Sequence, residues 1–453
     1  MLRFIKERVG VAVGDHLAGL LIVRSAVVML MVVLFLSITT DTALAEDQQR
    51  DWVQVANALR ANDLPQIKSL SADERVVLRA AVALKMQRPA DAIKLLSGNS
   101  NQQPDPLAAL IEAEAHRRQA LSALHEAGSY AHGVERERVQ LASVQLNPWL
   151  READVKLEEL RDELNGSLLL PVDLLQLSSD VVNVFMIDKQ RSRLFLFSRD
   201  ADGSLRKVAD EYVVTGAVPG DKKMEGDGRT PTGVYRFVQR LEGRSLEQRY
   251  GPVAFPIDYP NVLDRMHHKK GHGIWLHGYA PQVNRRPPRD TKGCFSLAND
   301  LLVQLAPQIV LGRSWVVVGN RLRFDDERAR AQLRRSVAGA LEEWLNDWSS
   351  LNTKRYLHHY HPSFRSGRYN LASWRAHKRY VNSHKRSISV TISAVTMIRD
   401  PNPREEGEVV IAQFKQHYRS DNYHDDTLKR LYLVRANERQ SWRILSEETL
   451  SAL

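Results

Sequence analysis

The hydrophobic rhythm of this chain changes twice, and those changes bound what it can fold into. From residue 47 to about 165, apolar residues recur at helical spacing. "ADERVVLRAAVALKMQRPADAIKLL" sets Val76, Leu78, Ala81, Leu84, Ala92 and Leu95 on helical faces, with a turn at Arg88-Pro89. "DPLAALIEAEAHRRQALSALHEAGSYA" repeats the style, with Asp105 as N-cap ahead of Leu107, Leu110, Ala113, Leu121 and Leu124. "WLREADVKLEELRDELN" adds a charge-laced amphipathic helix. At about Val181 the period becomes two. "VVNVFMIDKQRSRLFLFSRDADGSLRKVADEYVVTG" predicts strands around a polar turn and a hairpin at Asp202-Gly203. A glycine-rich loop then enters a strand at Val234, "RYGPVAFPIDYPN" reads as irregular, and "SWVVVGN" closes the block as a last strand. From about Arg328 a long helix, then a helix or turn ending near Pro362, precede four alternating runs. The expected fold is multidomain α + β. A helical region spans 46–175, a mostly-β domain 180–320 and an α+β domain 328–453, the last a curved sheet around one pocket.

Residues 1–45 are of another kind. Arg3, Lys6, Arg8 and Arg24 precede an apolar run from Ala26 to Leu36, and Ala43-Leu44-Ala45 stands before Glu46. That is the pattern of a cleaved signal peptide. The run is shorter than the roughly 20 residues a spanning helix needs, although the long basic start keeps an uncleaved inner-membrane anchor as the alternative. The expected location is the periplasm. The net charge of +10 falls only to about +9 without this segment, which carries four basic and three acidic residues. In an exported chain such charge points to an anionic envelope polymer or a phospholipid surface rather than nucleic acid, with solubility alone as the plain alternative.

Cys294 is the only cysteine, so no disulfide joins the chain to itself. A lone thiol in an oxidising compartment invites damage unless it has a use. It follows Lys292-Gly293 in "TKGC", a tight turn, and His277 stands seventeen positions upstream at the end of "GIWLHG". A thiol becomes a nucleophile when a base and a positive field favour its thiolate. His277 is the expected base, Gly278 leaves room beside it, and Gly293 lets backbone N–H groups converge on a developing oxyanion. Lys292 either adds positive potential near the thiolate or is a solvated loop lysine. Arg285, Arg286 and Arg289 either meet substrate carboxylates or solvate the loop. Tyr250, Tyr259 and Trp275 are candidates to line a groove, with core packing favoured for Trp275. Asp227 and Glu225 either orient the glycine-rich loop or make ordinary turns. His267, His268, His272 and His277 fit no zinc-ligand spacing, so neither a metal nor another cofactor is expected.

Taken together, His277, Thr291, Gly293, Cys294 and Phe295, preceded by "TPTG" at Thr230–Gly233 and by "IWLHG", resemble the YkuD-type L,D-transpeptidase domain. Two positions depart: most members have histidine at Lys292 and arginine at Ser296. The resemblance implies that Cys294 attacks the L,D-amide of a peptidoglycan stem tetrapeptide, with His277 as general base and acid and Thr291 in the motif. A thioester forms and D-alanine leaves. Crosslinking or D-amino-acid exchange is the first expected outcome. Trimming to tripeptide and release of a wall-linked lipoprotein are its alternatives.

The helical region vaguely resembles tetratricopeptide pairs, without a clean period. The C-terminal block resembles an NTF2-like domain, with Tyr356, Tyr360, Phe364, Trp374 and Trp442 as core. The whole layout is similar to that of the cell-shape peptidoglycan carboxypeptidases. Dimerisation through either flanking domain is consistent with it, as is wall or membrane association. The rival of another class is a non-catalytic scaffold that grips stem peptides. A general papain-like protease is a further rival that the motif order disfavours.

Overall fold

The computed structural model describes residues 51–61, 70–97, 106–126, 148, 150–162, 164, 170–283, 285–325 and 327–453. The predicted signal peptide and Asp105 lie outside them. The chain divides into two compact units, Met1–Asn101 and Gln102–Leu453.

The first unit is helical: 51–61, Ala72–Lys85 and Pro89–Ser97. Ser71 caps the second helix. Its Oγ accepts from Glu74 N at 3.1 Å, and Glu74 Oε2 accepts from Ser71 N at 2.9 Å, a reciprocal capping box. Leu78, Ala81, Leu84 and Ala92 are buried as their spacing predicts. Val76 and Leu95 are only half-buried, while their neighbours Val77 and Leu96 are fully covered.

In the second unit the helix Pro106–Glu126 buries Leu107, Ile111 and Ala115 and leaves Ala113 exposed. Buried Glu114 survives on that face because Arg117 and Arg118 hold it at 2.6 and 2.7 Å. Among the described residues, the central sheet has five strands. In order they are Leu205–Tyr212, Arg193–Arg199, Asn183–Asp188, Ser314–Gly319 and Gly233–Arg236. Ser314–Gly319 therefore lies inside the sheet, parallel to Asn183–Asp188 and antiparallel to Gly233–Arg236. Every residue of Asn183–Asp188 and of Ser314–Gly319 is buried. Such strands are covered on both faces and read as continuous apolar runs.

One face, with Phe185, Ile187, Leu196, Val316 and Val318, packs on Phe255, Leu276 and Phe295 of a four-stranded sheet. The other, with Val184, Met186, Phe197, Trp315 and Val317, packs on Ile398, Val409, Ile411, Tyr432, Val434 and Leu445 of a seven-stranded sheet. That third layer belongs to the C-terminal block, whose opposite face encloses Trp344, Trp348, Tyr356, Tyr360, Phe364, Trp374 and Trp442.

Three short segments differ from the sequence reading. Val253–Pro256, read as irregular, is a strand. Tyr360–Ser366, read as a helix or turn ending, is a strand whose pairing with Arg443–Ala452 shifts register between Tyr360 and Arg365. Pro362 occupies that irregularity, where its missing N–H breaks no regular ladder. Leu174–Gln176, placed at the end of the helical region, is the edge strand of the C-terminal sheet against Met397 and Ile398.

Candidate active site

The four-stranded sheet carries the site. Trp275–His277 runs parallel to Phe295–Ser296, with Leu276 opposite Phe295 and His277 opposite Ser296. Alternation along the strands sends Leu276 and Phe295 into the core. It gives His277, Ser296 and the preceding Cys294 the other face. Residues seventeen apart in sequence thus share one surface of two adjacent strands.

His277 is 5% exposed. Its Nδ1 lies 2.6 Å from Gly278 O, and a carbonyl only accepts, so Nδ1 carries the proton and Nε2 is left as acceptor. Ser296 Oγ donates to the same carbonyl at 3.0 Å. Burial pushes the imidazole down to about 4, the field of Arg286 and Arg249 acts the same way, and the Gly278 bond opposes them. At neutral pH the ring is therefore an uncharged base. Burial pushes the Cys294 thiol up, against the pull of the Trp275 N–H and of Lys222, Arg249 and Arg286. At rest Cys294 is therefore a thiol and His277 a neutral imidazole. The Cys294 side chain is half-buried, with Sγ 3.5 Å from Gly273 O.

The turn that presents the thiol is tied at several points. Thr291 Oγ1 donates to Cys294 O at 2.6 Å and accepts from Gly293 N at 3.1 Å. The Gly293 N–H is thus engaged by Thr291. What the glycine supplies is φ of +128° and room, since a Cβ would stand 2.8 Å from Arg229 O. Thr230, from the upstream loop, donates to Cys294 O at 3.3 Å and accepts from Gly216 N at 2.8 Å.

Gly278 is engaged on all sides: its N–H donates to Tyr250 O at 2.9 Å, its carbonyl holds His277 and Ser296, and a Cβ would meet Asn299 Oδ1 at 2.2 Å. Asn299 Oδ1 also accepts from Tyr279 N at 2.8 Å. The Tyr250 ring stands perpendicular to His277 at 5.1 Å, lies 4.9 Å from Trp275, and has Arg249 4.9 Å above it. Trp275 is half-buried rather than core, whereas Tyr259 is core. Lys292 and Arg289 are exposed. Arg285 reaches Glu152 at 2.6 Å, and Arg286 binds Asp290 at 2.8 Å.

Asp227 orients the glycine-rich loop. It accepts from the backbone N–H groups of Lys223, Met224 and Arg229 and from Lys222 Nζ at 2.9 Å. The Lys222 ion pair and these N–H groups hold its carboxyl well below the usual range, although burial acts against them. Glu225 and His272 are exposed at the same loop, and His267 pairs instead with Glu406 at 3.0 Å. Lys222, Arg249, Ser296 and Asn299 were not anticipated. Only the local "SLAND" context hinted at Asn299, because their roles come from distant partners.

Residues 183–318 match the family model of the YkuD-type L,D-transpeptidase catalytic domain, and residues 336–448 match the Cds6 C-terminal NTF2-like domain. Among solved structures, Bd1075 from Bdellovibrio bacteriovorus is 26% identical. The alignment covers 63% of this chain and 99% of that one, with a TM-score of 0.55. The helical cell shape determining protein Pgp2 from Campylobacter jejuni is 27% identical over 61% of this chain and 95% of its own, with a TM-score of 0.53. A point mutant of Pgp2 is likewise 27% identical, over 63% of this chain and 96% of its own, with a TM-score of 0.54. No curated protein sequence matches the chain. The chain thus combines a catalytic domain of the L,D-transpeptidase type with an NTF2-like C-terminal domain, the architecture that motif and element order predicted. Among the described residues, no helix is long and apolar enough to cross a membrane.

Proposed function

We propose that this chain is a cysteine-dependent enzyme that opens the amide between diaminopimelate and terminal D-alanine in peptidoglycan stem tetrapeptides, in the periplasm. The observation that carries the reading is the Nδ1–H bond from His277 to Gly278 O, which leaves Nε2 a neutral acceptor on the face shared with Cys294. Sγ attacks the carbonyl carbon while Nε2 takes the thiol proton. The developing oxyanion is met by the Cys294 N–H. As the C–N bond breaks, His277 returns that proton to the leaving amine. D-alanine departs and a thioester remains.

What resolves the thioester separates the outcomes. Water, activated by His277, gives tripeptide. A stem-peptide amine gives a 3-3 crosslink, and a free D-amino acid gives exchange. Similarity to the helical cell shape determining protein Pgp2 supports the hydrolytic outcome, because trimming alters the supply of crosslinkable stems. Lys292 and Arg289 stand at the exposed rim as contacts for substrate carboxylates, and Tyr250 lines the approach to His277.

The test is digestion of disaccharide-tetrapeptide by the purified protein, read by mass spectrometry beside Cys294→Ala. Tripeptide alone identifies the hydrolase, and 3-3 dimers identify the transpeptidase. Equal products from wild type and variant would refute Cys294 as the nucleophile, and none from either on tetrapeptide and lipoprotein-linked substrates leaves the scaffold reading.

A further inference from the structure

The hairpin joining Ile388–Arg399 to Glu408–Ser420 leaves the C-terminal domain and reaches the back of the Thr230–Gly233 loop. Asn402 fastens its base: Nδ2 donates to Val318 O at 3.0 Å, and Oδ1 accepts from Asn320 N at 3.1 Å. Arg404 stands at the start of its closing turn, opposite Gly407, and its side chain is 6% exposed. Its Nε and Nη2 lie 2.8 and 2.6 Å from Asp400 Oδ2, and the same Nη2 donates to Thr232 O at 2.8 Å. Nη1 stands 3.4 Å from Asp221 Oδ2, while Asp221 Oδ1 accepts from Thr232 N at 2.8 Å. Tyr235 OH also donates to Thr232 O, at 3.0 Å. Both backbone polar groups of Thr232 are therefore held, the carbonyl directly by Arg404 of the C-terminal domain and the N–H by Asp221, which Arg404 itself approaches.

Two residues earlier the same loop faces the nucleophile, where Thr230 Oγ1 donates to Cys294 O. Lys189 Nζ fixes Thr230 O at 2.6 Å. Pro231 lies between the two threonines, and its locked φ removes one of the few torsions that would absorb a displacement of Thr232. Gly233 closes the arrangement: a Cβ there would lie 3.2 Å from Arg404 Nη2 and 2.9 Å from Tyr235 OH.

We propose that Arg404 is a positioning residue for Cys294, so that the NTF2-like domain sets the geometry of the nucleophile through Thr232, Pro231 and Thr230. The proposal rests on the reading of Cys294 as nucleophile. A planar guanidinium can hold Asp400 and the Thr232 carbonyl at once, whereas an ammonium holds them only as a point charge.

The experiment uses the full chain as wild type, Arg404→Ala and Arg404→Lys, each shown folded by circular dichroism at 20 °C. Two quantities are read: kcat and KM for D-alanine release, and the rate of Cys294 alkylation by iodoacetamide from pH 5 to 10. Arg404→Ala is expected to lower kcat about 30-fold, with KM within about twofold, because a sub-ångström misplacement acts on the reacting geometry. The alkylation rate at pH 7 falls about fivefold, and Arg404→Lys recovers part of both losses. A folded Arg404→Ala protein with a lower melting temperature but wild-type kcat and alkylation profile would overturn the proposal, because the arginine would then only stabilise. Should that variant not fold, Arg404→Lys decides by the same comparison. Should the wild type release no D-alanine, the substrate reading fails, and the alkylation profiles still judge Arg404.

Discussion

The depressed basicity of His277 makes a quantitative prediction for the acid side of the pH–rate profile. An ordinary histidine of 6.5 is only about 3% neutral at pH 5, whereas one at about 4 is about 90% neutral, so the available base differs about 30-fold. kcat/KM for D-alanine release should hold near its plateau to pH 5 and halve near pH 4. The same shift has a cost in stability. The folded value lies below the unfolded one, so between pH 6.5 and 4 the unfolded chain binds the extra proton. Stability is then full above pH 6.5, falls as pH drops through the window, and levels off below 4. For this buried ring the loss is about 2 kcal/mol at pH 5 and at most about 3.4 kcal/mol. The assay is urea unfolding of wild type and His277→Asn at pH 7 and pH 5. The asparagine keeps a donor for Gly278 O but does not titrate, and the other histidines cancel in the difference. A rate profile that halves near pH 6.5, or equal pH dependence of stability in the two proteins, would refute the reasoning.

Cys294→Ala should lose at least about four orders of magnitude in turnover while changing unfolding free energy by less than about 1 kcal/mol, as rate and urea measurements would show. Gly278→Ala pushes Asn299 off the Tyr279 N–H, and about 2–4 kcal/mol of stability and about a hundredfold in kcat should go together. Asp227→Ala leaves Lys222, itself 3% exposed, without its carboxylate, and calorimetry should show a loss of about 3–5 kcal/mol.

The period change at Val181 and the ordered motifs made the strands legible, the adjacent ones at His277 and Cys294 among them, because each is encoded within a few neighbouring residues. Leu174–Gln176 was not, since three residues have no period and the strand exists only against Met397 and Ile398. Val253–Pro256, four residues long, is a strand because Trp275–His277 pairs with it. The grip of Arg404 on Thr232 was hidden for the same reason: a lone arginine in "PNPREEG" carries no signal until the fold brings it to the loop. Trp275 misled because its neighbours Ile274 and Leu276 are core, while its own side chain shares the face of His277.

The layer shared by the two domains also sets an order of events. Val184 and Met186 are covered by Val409, Tyr432 and Leu445, which follow them by roughly two hundred residues or more. Contacts so distant in sequence form late and slowly, and the sheet face they cover stays exposed and prone to association until then. The Arg404 contact to the Thr232 carbonyl therefore forms only near the end of folding. On the proposed reading of Cys294, full reactivity of that thiol is then a property of the finished chain rather than of a partly made one.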